Sequence, residues 1–124
     1  MNSQKFFICG HCGNLAGLVL NHGVSLVCCE DKMTELEAVT SEANENNHRP
    51  DVTIDSGIIC VSADNHPADG KHHVEFVYLE TKNGGQRKSI LHGSKPSVKF
   101  ALIEDEPLAA YIYCSVHGLW RTAV

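Results

Sequence analysis

A chain of 124 residues with 43% hydrophobic and 20% charged residues holds enough apolar material for one ordinary domain, or a small domain beside a medium one, which excludes global disorder. A net charge of −5 argues against a nucleic-acid binder, which needs a basic patch to neutralise phosphates. The longest apolar runs, 15–20, 100–103 and 108–114, fall far short of the roughly 18 residues a membrane span requires. At the N-terminus only Phe6-Phe7-Ile8 precedes a cysteine, too short for a signal-peptide core, so a reducing cytoplasmic location is expected. Six cysteines and eight histidines in such a compartment point to a metalloprotein rather than to disulfides.

Residues 1–37 contain Phe6-Phe7-Ile8, then Leu18-Val19-Leu20, a turn at Asn21-His22-Gly23, and Leu26-Val27. Short β-rich runs between Gly and Asn predict small hairpins, too poor in apolar residues to hold together without a metal. The polar stretch 40–50 predicts a linker or exposed loop, with room for a helical turn over 41–45. From Asp51 onward the pattern is punctuated β. Val52-Thr53-Ile54 and 58–61 flank a turn at Asp55-Ser56-Gly57. A strand over 73–80 has Val74, Phe76 and Tyr78 facing one way, and Lys82-Asn83-Gly84-Gly85 is a strong hairpin signal. Runs 86–91, 97–103 and 109–113 complete an all-β set with turns roughly every ten residues, favouring an immunoglobulin-like antiparallel sandwich.

Cys9-Gly10-His11-Cys12 is a C-x-x-C knuckle, followed by the adjacent pair Cys28-Cys29. Four thiolates in a segment too small to fold alone predict a tetrahedral sulfur site, for zinc or iron alike. Neighbouring strand side chains point to opposite faces, so the backbone must turn sharply at Cys28-Cys29. His11 belongs beside the metal or at the surface, because four cysteines already fill the coordination sphere.

A second set of ligands is dispersed: His48, the pair His66 and His72 in His66-Pro67-Ala68-Asp69-Gly70-Lys71-His72, and Cys114-Ser115-Val116-His117. On a strand His66 and His72 would sit about 20 Å apart, but Pro, Asp and Gly between them make a returning loop. All three segments fall at loops or strand ends, which cluster at the ends of a sandwich. Four imidazoles and a thiolate exceed the four ligands usual for zinc and suit redox-active iron.

These residues resemble the desulfoferrodoxin family, the two-iron superoxide reductases. Cys9-x-x-Cys12 with Cys28-Cys29 is similar to its desulforedoxin-type domain, while His66-Pro67, Lys71-His72 and Cys114-x-x-His117-Gly118-x-Trp120 are similar to its catalytic motifs. The resemblance implies a desulforedoxin-like domain over 1–37, a catalytic immunoglobulin-like β-sandwich over 38–124, and a homodimer. It implies two irons per chain. One is Fe(Cys)4 at Cys9, Cys12, Cys28 and Cys29. The other is a square-pyramidal Fe(His)4(Cys) site with His48, His66, His72 and His117 equatorial and Cys114 axial. The implied reaction is one-electron reduction of superoxide to hydrogen peroxide, with electrons from reduced rubredoxin or a similar carrier.

One departure matters: where the family places Glu-Lys before the loop histidine, this chain has Asn46-Asn47. Arg49 or Lys71 could supply the missing positive charge. His73 is a strand neighbour of His72 and is not expected on the same iron, while His22 and His92 read as surface residues and Cys60 as a buried, inert thiol. Trp120 is expected to pack beside the iron site. The competing reading is a zinc-ribbon interaction module with incidental histidines, or an iron electron-transfer protein without superoxide activity.

Overall fold

The computed structural model describes residues 4–40, 50–63, 73–91 and 93–124. The chain divides into two compact units, Met1–Glu37 and Ala38–Val124, and every regular element among the described residues is a strand.

The first unit has five very short strands: β1 (Phe6–Ile8), β2 (Leu15–Gly17), β3 (Val27–Cys28), β4 (Asp31–Lys32) and β5 (Thr34–Leu36). β1 lies between β2 and β5 in an antiparallel sheet, and β3 and β4 form a separate hairpin. Phe6 and Cys9 are the only fully buried described side chains in this unit. So little burial cannot offset the entropy of ordering the segment. The apolar run 18–20 is not the strand its composition predicts. Leu18 donates one backbone bond to Lys5, and then Val19 and Leu20 turn outward, 95% and 72% exposed.

The second unit has two antiparallel sheets. β6 (Asp51–Asp55), β7 (Ile58–Ser62) and β10 (Ser97–Ala101) form one, in the order β10-β7-β6. β8 (Val74–Thr81), β9 (Gly84–Ser89), β11 (Pro107–Cys114) and β12 (Gly118–Ala123) form the other, in the order β12-β11-β8-β9. Alternation puts Ile59, Val61 and Phe100 of the first sheet against Val77, Leu79, Ala110, Ile112 and Trp120 of the second, which makes the core of an immunoglobulin-like sandwich. Each fully buried aliphatic side chain here contributes roughly 1.5–3 kcal/mol. Cys60 is corrected by the same alternation: between buried Ile59 and Val61 it faces outward and is only half-buried.

Two features shape the end that carries Cys114. Along β11, Tyr113 pairs with Phe76 but Cys114 pairs with Val74, so Glu75 is an extra, bulged residue in β8. The bulge reverses the facing of everything beyond it. Val74 packs in the core with Val77 and Leu79, while Phe76 stacks on Tyr113 and Tyr78 meets Tyr111 edge-on across the outer face. The expectation that Val74, Phe76 and Tyr78 share a face is thereby overturned. The free edges of the two sheets also close on each other. Gln86 of β9 donates to the Ala101 carbonyl at 2.9 Å and Lys88 donates to the Lys99 carbonyl, which caps backbone acceptors along β10.

Candidate metal centres

The Cys9 turn forms because Gly13 takes φ +81°, which lets its N–H close onto the Cys9 carbonyl at 3.0 Å. The backbone N–H groups of His11 and Cys12 then point at the Cys9 sulfur, at 3.4 and 3.5 Å, and that of Asn14 at the Cys12 sulfur, at 3.5 Å. The sharp bend expected at the adjacent cysteines is also present. Cys28 ends β3, and Cys29-Glu30 form the two-residue hairpin loop into β4 with φ of +52° and +65°, the signs of a type I′ turn. Neither residue is Gly or Asn, so this loop is strained by roughly 1–2 kcal/mol per residue.

That bend brings Cys28 and Cys29 round one point with Cys9 and Cys12: the four sulfurs lie within 4.8 Å of one another. Cys12 and Cys28 sulfurs are 3.6 Å apart, and those of Cys28 and Cys29 are 4.0 Å apart. A disulfide requires about 2.05 Å. A tetrahedron with metal–sulfur bonds of about 2.3 Å has edges of about 3.8 Å. The donor set therefore fits one tetrahedral thiophilic ion. The electrostatics agree. Backbone N–H groups of Cys12 and then His11 draw the Cys9 thiol down to about 6, while hydrogen bonding to Cys9 and then Cys12 pushes Cys28 up to about 12. Cys29 is raised by the same neighbours, Cys12 foremost. Anions crowd one another here until a cation replaces their protons. His11 points away from the sulfurs and pairs with Asp31 at 2.6 Å, both exposed.

The second unit repeats the knuckle. Cys114 ends β11, fully buried, and Gly118 begins β12 with φ +87°. The backbone N–H groups of Val116 and His117 point at the Cys114 sulfur at 3.5 and 3.4 Å. Those are the same two positions, second and third after the cysteine, that serve Cys9, and in both turns a glycine of positive φ stands fourth. Such donors favour a buried thiolate, and in the first turn the residue completing the knuckle, Cys12, is one of the four clustered sulfurs. Here that residue is His117, whose Nδ1 lies 3.7 Å from the Cys114 sulfur.

Ser115, which sequence reading passed over, anchors this turn. Its hydroxyl accepts from the His73 backbone N–H at 3.1 Å, and its own N–H donates to the His73 carbonyl at 3.0 Å. A small hydroxyl residue directly after a strand-end cysteine was the available signal. His73 itself is buried and faces Glu75, with its Nε2 3.5 Å from the carboxylate. Cys114 and His117 are thus brought together, whereas His48, His66 and His72, together with Asn46, Asn47 and Arg49, lie outside the described residues. Trp120 belongs to the sandwich core, and its strand is joined to Val39.

A family model described as desulfoferrodoxin matches residues 36–123. The chain belongs to the desulfoferrodoxin family. The desulfoferrodoxin of Syntrophotalea carbinolica is 33% identical over 120 residues, covering 95% of this chain and 94% of that one. That of Nitratidesulfovibrio vulgaris is 29% identical over 122 residues, covering 97% and 96%. Among solved structures, the superoxide reductase of Treponema pallidum superposes with a TM-score of 0.83 at 26% identity, over 97% of this chain and 98% of its own. A superoxide reductase from Giardia intestinalis shares the fold over 64% of this chain, with a TM-score of 0.54 at 22% identity. The family architecture is a small desulforedoxin-like metal domain followed by the β-sandwich, and the zinc-ribbon alternative leaves a match over nearly the whole length unexplained.

Proposed function

We propose that the chain is a superoxide reductase, taking up one electron and two protons for each superoxide and releasing hydrogen peroxide. Membership of the desulfoferrodoxin family and the likeness to the Treponema pallidum enzyme support this reading. The observation that carries it is the second knuckle, in which a buried Cys114 receives the same paired N–H groups as Cys9.

In this reading residues 1–37 hold an iron at Cys9, Cys12, Cys28 and Cys29, and residues 38–124 hold a second at His48, His66, His72, His117 and Cys114. When bound, the second iron supplies the electron that reduces superoxide. The protein's part is positional. Val116 and His117 backbone donors face the Cys114 sulfur, and Ser115 pins the turn to β8. Rubredoxin or a similar carrier restores the electron. Six free cysteines suit a reducing cytoplasm. Exposed Val19, Leu20, Val24 and Val27 in the small unit suit pairing with a second copy as a homodimer.

Metal analysis of protein purified without oxygen, with the visible spectrum after oxidation, tests the assignment. Two irons per chain and thiolate-to-iron absorption from two distinguishable centres are expected. A colourless protein with zinc at both centres would overturn it.

A further inference from the structure

Basic residues are unevenly distributed. Between residues 82 and 103 the chain has Lys82, Arg87, Lys88, Lys95 and Lys99 and not one Asp or Glu, although its net charge is −5. Folding sorts these cations. Lys82 lies at the far end of the sandwich, where Glu104, Asp105 and Glu106 gather: the backbone N–H of Asn83 donates to the Asp105 carboxylate at 3.0 Å and that of Lys82 to the Glu106 carbonyl at 2.9 Å. Asp105 is held below the usual carboxylate range, by the Thr81 hydroxyl first. The other four cations remain exposed on the facing edges β9 and β10 and on the loop between them. The Lys88 ammonium is fixed 5.2 Å over the Phe100 ring while it caps β10, so part of this edge is preset rather than floppy.

The edge leads to the end of the sandwich that carries Cys114. Ile90 donates to the Glu75 carbonyl at 3.1 Å, and Ser115 bonds His73, so the loop after β9 and the Cys114 turn flank the same end of β8. Each presents one bare aliphatic side chain: Leu91 is 79% exposed and Val116 58%. Glu75, engaged with His73, borders this rim.

We propose that Lys88, Lys95 and Lys99, with Leu91 and Val116, form the docking surface for a small acidic electron-transfer protein. The inference rests on the superoxide reductase reading and gives that centre its partner. Two exposed aliphatics at the end of a line of cations, beside a site that must be re-reduced after every turnover, fit a transient complex steered by charge and seated by a small apolar contact. Each encounter moves one electron: the carrier loses one and the chain's centre gains one. A chain of net charge −5 is a poor host for a nucleic acid.

The test uses the full-length iron-loaded protein and the double variant Lys95→Glu/Lys99→Glu, with an acidic rubredoxin as probe. Calorimetry at low salt should show the Kd for the carrier raised about tenfold or more in the variant, and stopped-flow reduction by the carrier slowed to match. Added salt should close the gap between variant and wild type. Reduction by ascorbate should be unchanged. A second variant, Leu91→Ser, should weaken binding without altering its salt dependence. Equal Kd values across the variants would overturn the proposal. So would a loss confined to the superoxide reaction, which would assign the edge to substrate steering, or charge-dependent binding of duplex DNA in place of the carrier. Failure of the wild-type protein to reduce superoxide would instead refute the functional reading, while the calorimetric comparison still decides the docking surface.

Discussion

Four cysteines carry the chemistry of the small unit, and they are not equivalent. Cys9 ionises before Cys28 and Cys29, because two backbone N–H groups face its sulfur, and it holds up those two thiols. Iron binding must displace the protons that Cys28 and Cys29 retain, so acid opposes loading. Lowering pH from 8 to 6 is expected to weaken retention of the first metal against a chelator, read from the loss of its visible band. Stronger retention at pH 6 would mean that Cys28 is not a ligand. At Cys114 the outcome separates the two centres. Cys114→Ser should remove the absorption of the second centre and cut superoxide reduction by at least an order of magnitude, while the four-cysteine spectrum persists. The reason is local: a serine oxygen in that buried turn would face the same two N–H groups but offer no thiolate.

Strands set the next scale, and here the two units differ in what holds them. Those of the small unit are two or three residues long and bury almost nothing, and a strained pair of residues forms one hairpin loop. Its order must come from the metal. Cys28→Ser should therefore expose residues 1–37 to limited proteolysis, read by mass spectrometry of the fragments, with the sandwich surviving. The sandwich depends on contact. Gly85 pairs with Glu80 beneath Tyr78, and a Cβ there would lie 2.0 Å from the phenolic oxygen and 2.9 Å from the Leu79 carbonyl. Gly85→Ala should destabilise the second unit by about 1–3 kcal/mol in urea unfolding, because the ring can leave only by giving up its edge contact with Tyr111.

Legibility in the sequence follows from the same contrast between local and distant determinants. The four-cysteine cluster was readable because its ligands all lie within one short segment, and the required bend at Cys28-Cys29 follows from strand geometry alone. Strands β6, β7, β10 and β11 were readable from β-branched and aromatic runs between turn residues. β12 was not, because Arg121 and Thr122 break its apolar pattern, and its place is fixed by pairing with β11 over Ala109 to Cys114. The bulge at Glu75 could not be read either. It depends on register against Cys114, and alternation taken from one strand misassigned Phe76 and Tyr78. Leu18, Val19 and Leu20 misled in the other direction, since a strand-like composition finds no partner strand here.

At the scale of the whole molecule, the sandwich is polarised. Glu104, Asp105 and Glu106 occupy one end, while the cations of β9, β10 and their connecting loop lead to the end with Cys114 and His117. An acidic protein acting on an anion such as superoxide needs such asymmetry, because exposed charges farther apart than about 10 Å are largely screened in physiological salt. The central claim is that superoxide is reduced rather than dismutated. It is tested by pulse radiolysis of the iron-loaded protein, kept reduced by excess donor, with peroxide and dioxygen measured together. One peroxide for every superoxide consumed, and no dioxygen, is the expected result. One peroxide and one dioxygen for every two superoxides would contradict it.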